Sequence, residues 1–408
     1  MDNNGQRLNN SYTANIATYQ QREAGFYTNR VQGEWNGKHI MRGKSPSDQS
    51  VLLMSNDYLD LAHHPEILKA QSDAILQMGN GLLMSGIFLH GDNPQAELER
   101  RFATFLRSES SMLCQSGWCA NVGLLQTIAD EKTPVYLDIL AHMSLWEGVK
   151  SAGAKAHYFH HNNMAHLERQ IKKHGPGIIA VDALYSTNGS ICPLKELVEI
   201  GLHYECVLLV DESHSLGTHG ARGEGLVSSL GLAEKVHFRT ASLAKAFAGR
   251  AGIITCSNSF SDYFKFTSLP AIFSSTLLPH EVIALHKTLD IVVGSHKKRA
   301  RLKQISGTIR QALLNQGYPV GISKSQIIPL EAGPEKQTME LRDALEQNDI
   351  FGAVFCAPAT AKSRSMVRLS LHAALTEEQI AYMLRVFEKL YNKVKPNEWP
   401  MAKRLAAI

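Results

Sequence analysis

Hydrophobic and polar positions fall in alternating blocks along the middle of the chain. Cys206-Val207-Leu208-Leu209-Val210 is a continuous apolar run that stops on Asp211-Glu212-Ser213-His214-Ser215-Leu216-Gly217. A short unbroken Val/Leu run bounded by turn residues predicts a strand buried on both faces. Ser111 to Cys114, Val135 to Asp138, Gly177 to Asp182 and Gly252 to Cys256 read the same way, as does Val236 to Thr240. Helical patterns lie between several of these runs, one after Ser116 through Leu125 and Ile128, another from Pro193. Strand, polar loop and helix in repetition predict an α/β fold, a mostly parallel sheet with helices on both faces. The polar residues recur at strand carboxyl ends, where open α/β sheets hold their ligands.

The flanks have a different pattern. Up to Gln49 the chain is rich in Asn, Gln, Tyr and Gly with little periodicity. It reads as a mobile tip, then a helix or two packed on another subunit. Val51 to Leu61 predicts a short strand and turn, and a helix starts after His64-Pro65 with Ile67, Ala70, Ala74 and Ile75 near one face. Gly79 to Asn93 is a Gly-rich loop with an apolar patch, Leu82-Leu83-Met84 and Ile87-Phe88-Leu89. Pro94 suits a first helical turn, followed by Leu98, Phe102 and Phe105 at helical spacing. Beyond Leu278 a long helical stretch, Glu281 to Asn315, precedes a smaller α+β unit with strands at Gln326 to Leu330 and Ser365 to Leu371. Thr376-Glu377-Glu378-Gln379 is a capping box that opens a last helix. We expect an N-terminal segment over 1–60, a large domain over 61–285 and a small C-terminal domain over 286–408.

Composition narrows the class. Hydrophobic residues make up 44% of the 408 and charged residues 20%, ordinary for a soluble globular protein. No stretch has the apolar length to span a bilayer, and the polar N-terminus lacks a secretion signal, so a cytoplasmic location is expected. A net charge of +4 is mild, arguing against nucleic acid and compatible with an anionic substrate such as a coenzyme A thioester. The six cysteines are scattered without metal-ligand spacing. They read mostly as core residues in a reducing compartment, and no metal site is expected.

The chemistry centres on Asp211 and Lys245. Lys245 follows a predicted strand and lies among small and apolar neighbours in Ala241-Ser242-Leu243-Ala244-Lys245-Ala246-Phe247, a setting that favours a reactive amine. A lysine for a Schiff base and an aspartate for a pyridinium nitrogen suit pyridoxal phosphate. A surface lysine and a solvated acidic turn fit the same two pieces. Ser116-Gly117-Trp118 at a strand-to-helix junction offers N–H groups to a phosphate, although many turns contain Ser-Gly. His142 suits a ring-stacking role or an exposed loop. His214 and Ser186 are placed to reach a phenolic oxygen. Arg368, the one arginine in an apolar strand, suits a carboxylate clamp or a half-exposed face.

Taken together, these residues resemble the α-oxoamine synthases, fold-type I pyridoxal-phosphate enzymes that condense an amino acid with an acyl-CoA and release carbon dioxide. The resemblance runs from about Ser55 to Glu378. It rests on Asn56-Asp57-Tyr58-Leu59-Asp60-Leu61, Ser116-Gly117-Trp118-Cys119-Ala120-Asn121, His142-Met143-Ser144, the Asp211 motif with Gly220, Gly223 and Gly225, and Ser242-Leu243-Ala244-Lys245-Ala246. It implies a large domain with a mostly parallel sheet and a smaller α+β C-terminal domain. It implies Lys245 as Schiff-base residue and proton acceptor, Asp211 at the pyridine nitrogen, His142 and His214 at the ring, Ser242 near the phosphate, and Arg368 and Asn56 on the substrate. Ser275-Thr276-Leu277-Leu278-Pro279 resembles a segment that reaches the partner subunit's phosphate, implying a homodimer with shared sites. Gln95, Leu375-Thr376 and the Leu83 to Phe88 loop depart from the family's usual His, His-Thr and Gly-Ser-Arg. Within the family the chain is most similar to the quorum-sensing α-hydroxyketone autoinducer synthases. That implies S-adenosylmethionine or 2-aminobutyrate as amino donor and a medium- to long-chain acyl-CoA. Aminooxononanoate, aminoketobutyrate and aminolevulinate synthesis are the alternatives.

Overall fold

The computed structural model describes residues 17–405 of the chain; the tip expected to be mobile lies largely outside them. A seven-stranded sheet forms the centre. Its strands are β2 (Ser110–Cys114), β3 (Pro134–Asp138), β4 (Lys155–Phe159), β5 (Ile178–Asp182), β6 (Val207–Asp211), β7 (Phe238–Ser242) and β8 (Gly252–Cys256). The order across the sheet is β2-β8-β7-β6-β5-β3-β4, with only β8 antiparallel to its neighbours. β5 and β6 sit mid-sheet under helices and are buried along nearly their whole length, which explains their unbroken apolar runs. β4 escaped the hydrophobic pattern for the opposite reason. It is an edge strand whose Lys155, Ala156 and Tyr158 are exposed.

Register carries the chemistry to one edge. Asp182 of β5 pairs with Asp211 of β6, and Asp211 with Thr240 of β7. The carboxyl ends of these parallel strands therefore come level, and each chain segment leaves them into a polar loop. A buried ion pair fixes β6 to β7 at this height. Arg239 Nε donates to Glu212 Oε2 at 2.7 Å, and Arg239 Nη1 also donates to Leu106 O at 2.8 Å and Ser228 Oγ at 2.9 Å. Removing one partner of such a pair leaves an uncompensated buried charge, a loss of about 3–5 kcal/mol.

The second sheet has four strands in the order β1-β10-β11-β9, with β1 at Val51–Leu53, β9 at Ile327–Gly333, β10 at Ile350–Phe355 and β11 at Ser365–Ser370. β1 runs parallel to β10, so a strand from near the N-terminus completes the C-terminal sheet. The upstream segment follows it. Trp35 Nε1 donates to Glu335 Oε2 at 2.8 Å, and Val31, Trp35 and Ile40 bury against Met339 of the helix Glu335–Glu346. The end of the N-terminal helical segment, at Val31 and Trp35, thus packs on its own chain, while Tyr19 and Tyr27 upstream are exposed. The long stretch after Leu278 is two helices, Pro279–Gly294 and His296–Asn315, broken at Ser295, whose Oγ donates to Ile291 O at 2.6 Å. Among the described residues no helix is long and apolar enough to cross a membrane.

Candidate active site

A cavity of about 220 Å³ opens at the carboxyl ends of the large sheet. Five strands feed it: Ser116, Gly117 and Trp118 after β2, His142 after β3, Asp182 and Ser186 from β5, Asp211 and His214 from β6, and Ser242 and Lys245 from β7.

The wall after β2 is an anion seat. Ser116 caps the helix Gly117–Ile128, its Oγ accepting from Cys119 N at 3.1 Å. The first-turn N–H groups of a helix have no intrahelical partner and carry the positive end of its dipole. The backbone comes unusually close to β7 there. A Cβ on Gly117 would lie 2.7 Å from Ser242 Cβ, and one on Gly252 would lie 2.2 Å from Ser116 O. Glycine at both positions is what lets the loop, Ser242 and β8 share this corner.

The floor is Asp211, buried and oriented by its neighbours. Asn121 Nδ2 donates to Asp211 Oδ2 at 2.6 Å, and Ser213 N donates to Asp211 Oδ1 at 2.8 Å. Asn121 is itself fixed, accepting from Thr240 Oγ1 at 2.6 Å and donating to Ser144 Oγ at 2.8 Å. His142 stands on the exposed side, its Nδ1 2.7 Å from Ser144 Oγ and its ring edge-to-face with Trp118 at 6.3 Å. Lys245 is half-buried. Burial lowers its ammonium pKa from the ordinary lysine value, with the Arg368 charge adding to the shift and Asp211 opposing it. His214 is buried, and its imidazole pKa is pushed well below the usual range by desolvation and by the charges of Lys245 and Arg368.

Arg368 reaches the site from β11 of the small sheet. Its Nη1 donates to Ser186 O at 2.8 Å and its Nη2 to Asn56 Oδ1 at 2.8 Å, while the guanidinium lies 4.6 Å over the Phe355 ring. Its Nε is buried without a partner. A buried guanidinium with an unused donor and, among the described residues, no carboxylate in its ion-pairing shell suits an incoming anion.

An anion seat, a held carboxylate facing the same cavity and a half-buried amine match the phosphate, pyridine nitrogen and aldehyde of pyridoxal phosphate. Residues 48–387 match the family described as aminotransferase class I and II. The CAI-1 autoinducer synthase of Vibrio campbellii is 46% identical over 89% of this chain and 92% of its own length. The 8-amino-7-oxononanoate synthase of Alkaliphilus metalliredigens is 30% identical over 88% and 91%. The chain belongs to the α-oxoamine synthases. They are pyridoxal-phosphate-dependent acyltransferases, and their cofactor fits the residues of this cavity. The fold agrees: a serine palmitoyltransferase of S. paucimobilis superposes with a TM-score of 0.82 over 95% of this chain and 98% of its own, at 22% identity. This α-oxoamine synthase is a fold-type I transferase.

The structure brings most of the sequence-derived site residues to one place. Ser116, Gly117, Trp118, His142, Ser186, Asp211, His214, Ser242 and Lys245 line the cavity. Arg368 and Asn56 stand beside it through Ser186. Ser275 and Thr276 do not line it. Thr276 Oγ1 donates to Gln95 Oε1 at 2.8 Å and its N to Met84 O at 2.8 Å, while Ser275 O accepts from Gln115 Nε2. Sequence reasoning gave no role to Asn121, Asp182, Tyr58 or Ser144. Asn121 had one legible signal, a polar residue one turn after Gly117 on a helix that is otherwise apolar on its buried side.

Proposed function

We propose that this synthase condenses an amino acid with a medium- to long-chain acyl-CoA, with loss of carbon dioxide, to make an α-aminoketone precursor of a quorum-sensing autoinducer. The observation that carries the reading is the meeting of Lys245, Asp211 and the Arg368 side chain around one cavity, in a chain 46% identical to a CAI-1 autoinducer synthase. S-adenosylmethionine or 2-aminobutyrate is the amino donor we favour.

Pyridoxal phosphate, when bound, supplies a carbonyl for the amine and a protonated ring that takes up the electron pair left at Cα. The chain does the rest. The N–H groups of Gly117 and Trp118, with Ser242, hold the phosphate. Asp211 keeps the proton on the ring nitrogen. His142 covers one ring face, and His214 and Ser186 bind the ring oxygen. Arg368 and Asn56 hold the substrate carboxylate. Lys245 would hold the cofactor carbonyl, and its Nζ would take a proton from the substrate Cα. That role needs a neutral amine near the operating pH, which the lowered Lys245 pKa favours.

We further propose a homodimer. Leu82, Leu83 and Phe88 are exposed, as are Phe266, Leu269 and Phe273 of the segment that the Ser85 side chain joins to their loop.

 These are six exposed apolar side chains on segments that meet at Ser85, and a partner subunit is what we propose covers them. In a dimer built on them, Ser275 and Thr276 reach the partner's phosphate. We place the reaction in the cytoplasm, consistent with six free cysteines. The test is coenzyme A release by the purified protein across a panel of amino acids and acyl-CoAs. Turnover with S-adenosylmethionine or 2-aminobutyrate and a long acyl chain is expected. Turnover with glycine and succinyl-CoA alone overturns the autoinducer reading.

A further inference from the structure

Asp182 and Asp211 occupy paired positions on adjacent parallel strands, and both carboxyl groups line the same cavity. Their hydrogen-bond partners are unequal. Asp211 accepts from Asn121 Nδ2 at 2.6 Å and from Ser213 N at 2.8 Å, one donor to each oxygen. Asp182 accepts a single longer bond, from His142 N at 3.3 Å, and its Oδ2 is buried with no partner. Both side chains are almost fully enclosed, at 3% and 5% exposure.

We propose that Asp182 is a positioning residue held as the neutral acid beside the cofactor site, so that the one negative charge of the pair stays on Asp211. Two buried carboxylates on neighbouring strands repel, and one of them takes up a proton. The charge settles where donors already solvate it, on Asp211. The other ionisable groups around Asp182 do not reverse this. Asp138 on β3 is a further acid, and Tyr185 after β5 is a buried phenol whose pKa is raised by burial. Lys245 and His214 share the cavity, but it is Asp211 that supports the Lys245 charge, and His214 is held neutral by burial. Desolvation, reinforced by Asp211, pushes the Asp182 pKa well above the ordinary carboxylate range.

The neutral acid does two things. Its Oδ1 holds the backbone of His142, the residue that covers the cofactor ring in the reading given above. It also keeps a second negative charge away from Asp211, so that the pyridine nitrogen meets a single carboxylate. Asn is the nearest mimic of a neutral Asp, and this sets the test.

The inference rests on the assignment of the cofactor to this cavity, so the experiment reads the two separately. Protein labelled with 13C at the aspartate carboxyl carbon is titrated without cofactor from about pH 6 to about pH 9, where an ordinary aspartate is ionised throughout. One resonance is expected at the neutral-acid position, absent from Asp182→Asn and shifted toward ionisation at lower pH in Asp211→Asn, which removes the repelling charge. Asp182→Asn, the mimic of the neutral acid, is expected to bind pyridoxal phosphate within about threefold of the wild-type affinity, a difference under about 1 kcal/mol. Its cofactor affinity should also lose the alkaline fall that ionisation of Asp182 gives the wild type. An Asp182 resonance at the carboxylate position, or a loss of cofactor affinity beyond about tenfold in Asp182→Asn, overturns the proposal. If that variant does not fold, the wild-type spectrum decides: a neutral resonance that shifts when cofactor is added supports the proposal, and none overturns it. Failure of cofactor to bind the wild type at all would strike the site assignment instead, leaving the apoprotein titration as the measure of Asp182.

Discussion

Tyr58 Oη lies 2.7 Å from His214 Nδ1, joining the loop after β1 of the small sheet to the loop after β6 of the large one. Tyr58 also donates to Asn56 Oδ1 at 3.1 Å, and that oxygen accepts from Arg368 Nη2. A phenol has one proton to give, so satisfying every contact makes His214 Nδ1–H the donor to Tyr58. His214 is then neutral with an unprotonated Nε2, a tautomer fixed by the neighbouring sheet. Burial pushes the Tyr58 pKa to about 12, so the phenol keeps its proton.

Tyr58→Phe leaves the His214 Nδ1–H without its acceptor inside the protein. Stability is expected to fall by about 1–3 kcal/mol, measured by urea denaturation. Turnover should fall while the cofactor remains bound, read by its visible absorbance. An unchanged unfolding midpoint and unchanged kinetics would show that the contact does not orient His214.

Lys245→Ala should bind pyridoxal phosphate without a covalent link and lose turnover. Asp211→Asn should keep the fold and lose most catalysis, because an amide cannot stabilise the charge of a protonated ring nitrogen. Borohydride reduction followed by peptide mapping checks the first, and an adduct on any other lysine would reject Lys245. Near-normal turnover in Asp211→Asn would remove that residue from the mechanism.

Arg368→Lys keeps the charge and gives up the planar, two-pronged donor. The KM for the amino acid is expected to rise by about 10- to 100-fold, the loss of one or two charge-assisted hydrogen bonds of about 1.5–3 kcal/mol. The KM for acyl-CoA should move little. Steady-state kinetics with each substrate varied in turn separates the two, and equal changes in both would deny Arg368 the carboxylate.

Acid should destabilise the protein through His214. Its pKa is well below 6.5 when folded, whereas in the unfolded chain it takes a proton near about pH 6.5. The unfolded state therefore binds more protons in the window below that value, and stability rises with pH there. Melting temperature should decline as pH falls from about 6.5, and His214→Asn should flatten this slope. A slope unchanged in the variant would assign the acid sensitivity elsewhere.

Chain length should matter on the acyl side. Each buried methylene contributes about 0.8 kcal/mol, nearly a fourfold gain in binding. The loop of Met84, Ile87, Phe88 and Leu89 is the acyl wall we propose, and it has no arginine for a succinyl carboxylate. Acyl-CoAs of roughly eight or more carbons should be preferred over acetyl and succinyl groups on this basis. A kcat/KM series over chain length checks it, and a preference for acetyl-CoA would point to aminoketobutyrate synthesis.

Much of this was legible in the chain because local pattern and local chemistry coincide at strand ends. An apolar run such as Cys206 to Val210 must be buried on both faces, and its arrest on Asp211 marks where the sheet stops and the cavity starts. Lys245 betrayed itself by its small neighbours, and Gly117 by its place at a strand-to-helix turn. The edge strand β4 was hidden because half-exposed residues give no apolar run, and β1 gave no hint that it pairs with β10, about 300 residues away. Only the tertiary structure set the register that levels Asp182 with Asp211, since pairing is decided by packing between strands and not within one. Only it turned Arg368, on the small sheet, toward Asn56, on a loop of that same sheet, and Ser186, on a loop of the large one. The sequence determined which side chains are chemically able; burial and distance, which arise between elements, decided which of them act together.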